Sequence, residues 1–181
     1  MKEDMAVKQY PFSKNFIGGS MKVIYPGSFD PVTYGHLDII KRCVNRFDTV
    51  IIAVLNNKSK KSLFTVEERI SLLQDTTKDY PNIEIDFFSG LLTEYAKEKG
   101  CSTIIRGLRA VSDFEYEMQM ALVNRKTYRN METLFMVSKG EYVYLSSSIV
   151  KEIAFYGGDI ACFVPKVVQE ALVNKYKGGI K

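Results

Sequence analysis

From Met21 onward the chain alternates short β-branched runs with longer stretches of helical period, and this alternation constrains the fold more than any other feature. Strands are expected at Lys22 to Tyr25, Thr49 to Leu55, Ile83 to Phe88, Thr103 to Arg106 and Thr133 to Val137. Helices are expected near residues 35–47, 66–79, 91–99, 113–129, 148–156 and 166–176. Strands that alternate with helices in this way build a parallel sheet covered on both faces.

Local signals support the helix starts and stops. Thr65 with Glu68 and Ser112 with Glu115 both match the capping box, in which hydroxyl and carboxylate satisfy orphan amides reciprocally. Pro165 suits a first helical position, while Gly157-Gly158 and Gly100 offer the positive φ that ends a helix. No repeat, low-complexity tract or linker interrupts residues 21–181, which predicts one Rossmann-like, doubly wound α/β domain with a five-stranded parallel sheet. Residues 1–20 differ: they lack a sustained period and end in Gly18-Gly19-Ser20 before a second methionine, Met21. They are expected to be a vector-derived extension, the alternative being a natural flexible leader.

With 181 residues, 46% of them hydrophobic and 25% charged, the chain is long enough to bury a sizeable core. A formal charge of +4 suits a protein that handles anions, but it is too small to indicate a nucleic-acid binder. Cys43, Cys101 and Cys162 show neither CxxC nor Cys/His spacing, so free thiols in a reducing cytoplasm are expected rather than disulfides or zinc. No apolar stretch approaches the roughly 18 to 20 residues of a membrane helix, and the N-terminus lacks the apolar core of a secretory signal. A soluble, unsecreted protein is expected.

Ligands of open parallel sheets bind in the crevice outside the carboxyl ends of the strands, where strand order reverses. The segments that follow the expected strands carry a suitable set of groups. His36, the only histidine, closes the run Gly27-Ser28-Phe29-Asp30-Pro31-Val32-Thr33-Tyr34-Gly35-His36 after the first strand. Lys58, Lys60 and Lys61 follow the second strand, Gly90-Leu91-Leu92 the third, Arg106 and Arg109 the fourth, and Lys139 to Ser148 the fifth.

The run after the first strand is neither a GxGxxG fingerprint nor a GxxxxGK[ST] phosphate loop, which removes support for hydride transfer and ordinary kinase chemistry. Gly27 and Gly35 let a backbone and a helix end come close to an anion, and Thr33 and His36, three apart, face the same side as Ser28. A capping or packing histidine is the alternative, and Thr33 suits a simple N-cap. Arg106 ends an apolar strand, where its planar donors suit a phosphate, unless it pairs with Asp113 or Glu115. Ser146-Ser147-Ser148 suits either a phosphate contact or a helix cap. Lys60 alone reads equally as a solvated loop charge. Glu117 offers an acceptor to an amine or a ribose hydroxyl or is a solvated helical residue, and Phe114, Tyr116 and Tyr128 read as packing aromatics.

Together these residues resemble the bacterial phosphopantetheine adenylyltransferases, of the nucleotidyltransferase superfamily with a [TH]xGH motif. The resemblance rests on Tyr25-Pro26-Gly27-Ser28-Phe29-Asp30-Pro31 with Thr33 to His36, on Ser59-Lys60-Lys61, on the block from Arg106 to Glu117, and on Ser146-Ser147-Ser148 with Val150-Lys151-Glu152. It spans Met21 to about Tyr176. The TxGH element alone identifies the superfamily, whereas the RGLRxxxDFEYE block is specific. Ser28 stands where threonine is frequent and Tyr142 where many members carry tryptophan; the hydroxyl and the aromatic face are kept.

The resemblance implies adenylyl transfer from ATP to 4′-phosphopantetheine with Mg²⁺, giving 3′-dephospho-coenzyme A and pyrophosphate, the penultimate step of coenzyme A biosynthesis. It implies that His36 donates to the phosphates of ATP, and that Ser28, Lys60 and Arg106 hold the acceptor phosphate with Leu92 beside the pantetheine arm. Phe29 with Ser28, Gly107, Leu108, Arg109, Glu117, Tyr142, Val143, Tyr144, Leu145, Ser146, Ser147 and Ser148 would enclose ATP. The metal would be held mainly by ATP phosphates and water. A cytoplasmic homohexamer inhibited by coenzyme A is also implied. The rivals are a transferase acting on nicotinate mononucleotide or glycerol 3-phosphate, and a noncatalytic nucleotide- or RNA-binding module.

Overall fold

A computed structural model describes residues 21–57, 61–109 and 111–177, apart from the side chains of Val111 and Ser112. The elements are β1 (Lys22–Gly27), α1 (Tyr34–Val44), β2 (Thr49–Leu55), α2 (Val66–Thr77), β3 (Ile83–Phe88), α3 (Leu92–Glu98), β4 (Thr103–Leu108), α4 (Val111–Thr127), β5 (Glu132–Val137), α5 (Ser147–Phe155) and α6 (Lys166–Lys177). A short 3₁₀ turn, Gly140–Tyr142, precedes α5 and was not expected from the sequence. The five strands form one parallel sheet in the order β3-β2-β1-β4-β5, as the alternation predicts.

The period of two along each strand sends neighbouring residues to opposite faces. Val23, Tyr25, Ile52, Val54 and Ile105 pack with Ile39 and Ile40 of α1, Leu73 of α2, Val150 of α5 and Val168 and Leu172 of α6. Ile24, Ile51, Ala53 and Ile104 face the other way, against Tyr95 and Ala96 of α3 and Met131 before β5. Right-handed crossovers explain the division. The chain moves outward through β1, β2 and β3 with α1 and α2 on one face, then returns to β4 and β5 with α3 and α4 on the other.

The ends of the elements depart from expectation in instructive ways. β1 and β4 each run two residues beyond Tyr25 and Arg106, through Pro26-Gly27 and Gly107-Leu108. Pairing with β2 and β5 continues past those breakers, Pro26 opposite Ala53 and Gly107 opposite Met136. α1 ends at Val44 because the amides of Arg46 and Phe47 both turn back to the Cys43 carbonyl. α4 begins at Val111, so Ser112 lies inside the helix rather than capping it. The Thr65/Glu68 capping box forms as expected, and both Gly100 and Gly157 have positive φ. Residues 1–20 and Lys60 lie outside the described residues.

Strand order reverses between β1 and β4, and their ladder is a single registered pair, Ile24 opposite Ile104. Beyond it, toward the carboxyl ends, the crevice opens.

Candidate active site

The turn that leaves β1 is built around Phe29. This residue has φ of 47°, and its buried ring lies so close to Gly27 that a Cβ there would come within 2.9 Å of it. Gly27 is therefore needed for a close approach. The Phe29 ring stands edge-on to Tyr25 and to His36, with centroids 5.5 and 5.1 Å away, so it packs beneath the imidazole.

His36 is the third residue of α1 and completes a capping box with Thr33. The Thr33 backbone N–H donates to Nδ1 of His36 at 3.1 Å, which makes Nδ1 an acceptor and leaves the proton on Nε2. Burial, and secondarily the charge of Arg109, lowers the His36 pKa to about 4. Near neutral pH this imidazole is uncharged and presents an N–H donor to the crevice. Because His36 is the only histidine, an ¹⁵N-resolved NMR titration reads it without assignment. Its signal is expected to keep the Nε2–H pattern without titrating between about pH 8 and 5.5, where an ordinary histidine changes charge. A midpoint near the ordinary value would overturn the neutral-donor reading. The sign for stability follows: the unfolded chain takes up a proton below its ordinary pKa while the folded site resists, so His36 disfavours folding progressively as pH falls toward 4.

Arg106 reaches the same crevice from β4. Its Nε donates to Glu117 Oε2 at 2.7 Å, its Nη2 donates to Glu117 Oε1, and its Nη1 donates to the Pro26 carbonyl at 3.0 Å. The partner is Glu117 of α4, one helical turn beyond Asp113 and two residues beyond Glu115, the two sequence candidates. Asp113 instead binds Arg109, at 3.0 Å from its Nε, and Arg109 Nη1 donates to the Leu145 carbonyl at 3.1 Å. That bond ties the end of β4 to the segment leading into α5.

Asp30, Lys151 and Arg69, to which the sequence reading assigned no role, hold these segments together with Ser147. The buried carboxylate of Asp30 accepts from the amides of Leu63 and Phe64 at 3.0 and 2.9 Å and from Lys151 Nζ at 2.6 Å. The Arg69 guanidinium, also buried, donates to the carbonyls of Ser28, Leu55 and Thr65. Ser147 Oγ donates to the Pro31 carbonyl at 2.7 Å. Asp30 and Lys151 belong to the motifs that carry the resemblance, but partners 33, 34 and 121 residues apart in sequence show no local pattern.

These elements enclose a cleft of about 490 Å³ at the β1/β4 switch point. Among the expected site residues, Ser28, Phe29, His36, Arg106, Gly107, Arg109, Leu145, Ser146, Ser147 and Ser148 line it. Thr33, Asn57, Lys61 and Lys151 add further polar and cationic groups. Ser146 caps α5 by accepting from the Ile149 amide at 3.2 Å, so the serine run meets the crevice at a helix N-terminus that favours anions. Leu92, Leu108, Glu117, Tyr142, Val143 and Tyr144 are not in the lining. Leu92, the first residue of α3, packs against the core on that face of the sheet, Tyr142 stacks on Tyr34, and Tyr144 is exposed against Phe163. Among the described residues no three His, Cys, Asp or Glu side chains gather as a metal cage.

The cytidylyltransferase-like family model matches residues 24–153, from β1 into α5. Over 154 residues the chain is 60% identical to the phosphopantetheine adenylyltransferase of Caldanaerobacter subterraneus subsp. tengcongensis, covering 85% of this chain and 96% of that one. The chain belongs to the phosphopantetheine adenylyltransferase family. The matched span of the family model runs through the His36 turn, Arg106, Glu117 and the serine run. Two solved structures share the fold at low identity. One, from Vibrio parahaemolyticus and assigned provisionally as a nicotinate-nucleotide adenylyltransferase, has a TM-score of 0.65 and 16% identity over 88% of this chain and 96% of its own. The other is the Plasmodium falciparum nicotinic acid mononucleotide adenylyltransferase complexed with NaAD, with a TM-score of 0.62 and 14% identity over 88% and 97%. At such identities the likeness is one of fold.

Proposed function

We propose that the chain transfers the adenylyl group of ATP to 4′-phosphopantetheine, releasing pyrophosphate and forming 3′-dephospho-coenzyme A. The observation that carries this reading is the meeting of a neutral donor, His36, and a cationic fork, Arg106, in one cleft at the ends of β1 and β4. An oxygen of the acceptor phosphate forms a bond to the α-phosphorus of ATP, and the bond from that phosphorus to the bridging oxygen of pyrophosphate breaks. The attacking phosphate is already anionic near neutral pH, so no side chain has to remove a proton. Catalysis then rests on alignment and on neutralising the charge that builds on the transferred group and on pyrophosphate.

In this reading His36 Nε2–H donates to the ATP phosphates in the transition state. Ser28, Lys60 and Arg106 hold the acceptor phosphate, and Leu92 borders its arm. Gly107, Leu108, Arg109 and the segment from Tyr142 to Ser148 enclose ATP, with Phe29 supporting His36 from below. Mg²⁺ suits the oxygens of the triphosphate and water better than this protein's side chains, since Asp30, the carboxylate of the cleft lining, is committed to Lys151 and two amides. When bound there, the ion supplies charge neutralisation.

On the family resemblance we propose further a cytoplasmic homohexamer inhibited by coenzyme A. Free Cys43, Cys101 and Cys162 suit a reducing compartment. Exposed Tyr116, Leu122 and Val123 on α4 and Leu134 and Val137 on the edge strand β5 suit burial between protomers. Pyrophosphate release from ATP and Mg²⁺ is expected to depend on 4′-phosphopantetheine and to be absent with nicotinate mononucleotide. Release with the nucleotide and none with 4′-phosphopantetheine would transfer the chain to the rival substrate.

A further inference from the structure

We infer that Arg69 is the positioning residue of the acceptor half, holding Ser28 and the base of the segment between β2 and α2 in the geometry that receives the acceptor phosphate. This role rests on the proposed function, through the assignment of Ser28 to that phosphate. Arg69 lies in the first turn of α2 and is 2% exposed, so it touches no substrate itself. Its Nε donates to the Thr65 carbonyl at 3.2 Å, and its Nη1 donates to the carbonyls of Ser28 and Leu55 at 2.8 and 3.0 Å. Both N–H bonds of Nη1 are thereby used.

The choice of acceptors is what points to the cleft. Ser28 follows β1, Leu55 ends β2 and Thr65 caps α2, so one planar group gathers the places where three elements meet the site. Leu55 and Thr65 flank residues 56–64, of which Asn57, Lys61 and Ser62 line the cleft. Asp30 holds the returning end of the same segment through the amides of Leu63 and Phe64. Burial pulls the Arg69 pKa down and the charge of Asp30 pushes it back up, so the two buried groups that hold this segment also support each other. On the β1 side, the Ser28 carbonyl immediately precedes Phe29, whose φ of 47° is a conformation that a bulky residue resists. A bond to that carbonyl from outside the turn keeps the turn, and with it the Ser28 hydroxyl, in place. The groups assigned to ATP are held by other bonds, Ser147 to the Pro31 carbonyl and Arg109 to the Leu145 carbonyl. Loss of Arg69 should therefore be felt on the acceptor side.

The test measures affinity for 4′-phosphopantetheine and for ATP separately by calorimetry, with kinetics alongside, on the full chain and on Arg69→Met and Arg69→Lys, at a temperature where thermal melts show each to be folded. Arg69→Met is expected to weaken 4′-phosphopantetheine about tenfold and to lower turnover, since a displacement of about 1 Å suffices, while ATP affinity stays within about twofold. Arg69→Lys keeps the charge and the stem but not the planar fork, and is expected to weaken the acceptor about threefold. Full recovery by lysine would make the effect one of charge rather than position, equal losses for both substrates would make it one of general stability, and unchanged acceptor affinity would leave no effect; each overturns the role. If Arg69→Met does not fold, Arg69→Lys decides alone by the same criteria. If the unaltered chain binds no 4′-phosphopantetheine at all, the proposed function fails first and the role of Arg69 falls with it, a result distinct from any shift between variants.

Discussion

His36→Ala is expected to lower turnover by about 10²-fold or more, the usual cost of removing one preorganised donor to a developing oxyanion. The loss should appear in kcat with the KM for ATP changed much less, because the bond from Nε2 is used most strongly as charge accumulates in the transition state. The fold should survive. What α1 loses locally is one half of its capping box, the acceptance of the Thr33 amide by Nδ1, worth about 1 kcal/mol. Phe29 also loses an edge-on neighbour, but its contact with Tyr25 remains. Single-turnover kinetics together with a thermal melt separate the outcomes: normal turnover in a folded variant would remove His36 from the chemistry.

Arg106→Ala is expected to raise the KM for 4′-phosphopantetheine by about 10²-fold and that for ATP by no more than about threefold. Two effects act in the same direction. A bidentate charged contact to the acceptor phosphate disappears, and Glu117 is left as an unpaired, largely buried carboxylate near an incoming anion. The Pro26 carbonyl loses its donor as well. Steady-state kinetics with each substrate varied in turn decides the matter, and equal increases for both would reassign the arginine.

Much of this site was legible in the sequence because the relevant rules are local or topological. Capping boxes are contacts between residues three apart, so Thr65 with Glu68 is readable and so is the shared side of Thr33 and His36. The expected bounds of β2 and β3 coincide with the observed ones, since both strands end where turn residues and the core end together. β1 and β4 were cut short because Pro26-Gly27 and Gly107-Leu108 weaken strand propensity. Pairing with β2 and β5 overrides that local preference. Ser112 misled for a similar reason: a good cap residue need not be used as one when the helix starts earlier.

The charged partners were the part that could not be read. Asp113, Glu115 and Glu117 all lie within reach of Arg106 along the chain, and only the packing of α4 beside β4 selects Glu117 for Arg106 and Asp113 for Arg109. Asp30 with Lys151 and Arg69 with the Ser28 carbonyl join elements far apart in sequence, and no periodicity marks such pairs.

By itself the sequence determined the alternation of strands and helices, the edge of the sheet where anion-binding groups gather, and the residue types available there. It did so because periodicity, caps and the crevice rule depend on short spacings and on strand direction. Tertiary structure alone decided that His36 is held neutral, that the Arg106 fork is already anchored by Glu117 and Pro26, and that Asp30 joins the segment after β2 to α5. Each of these depends on burial and on contacts between distant elements, and those exist only once β1 and β4 lie side by side.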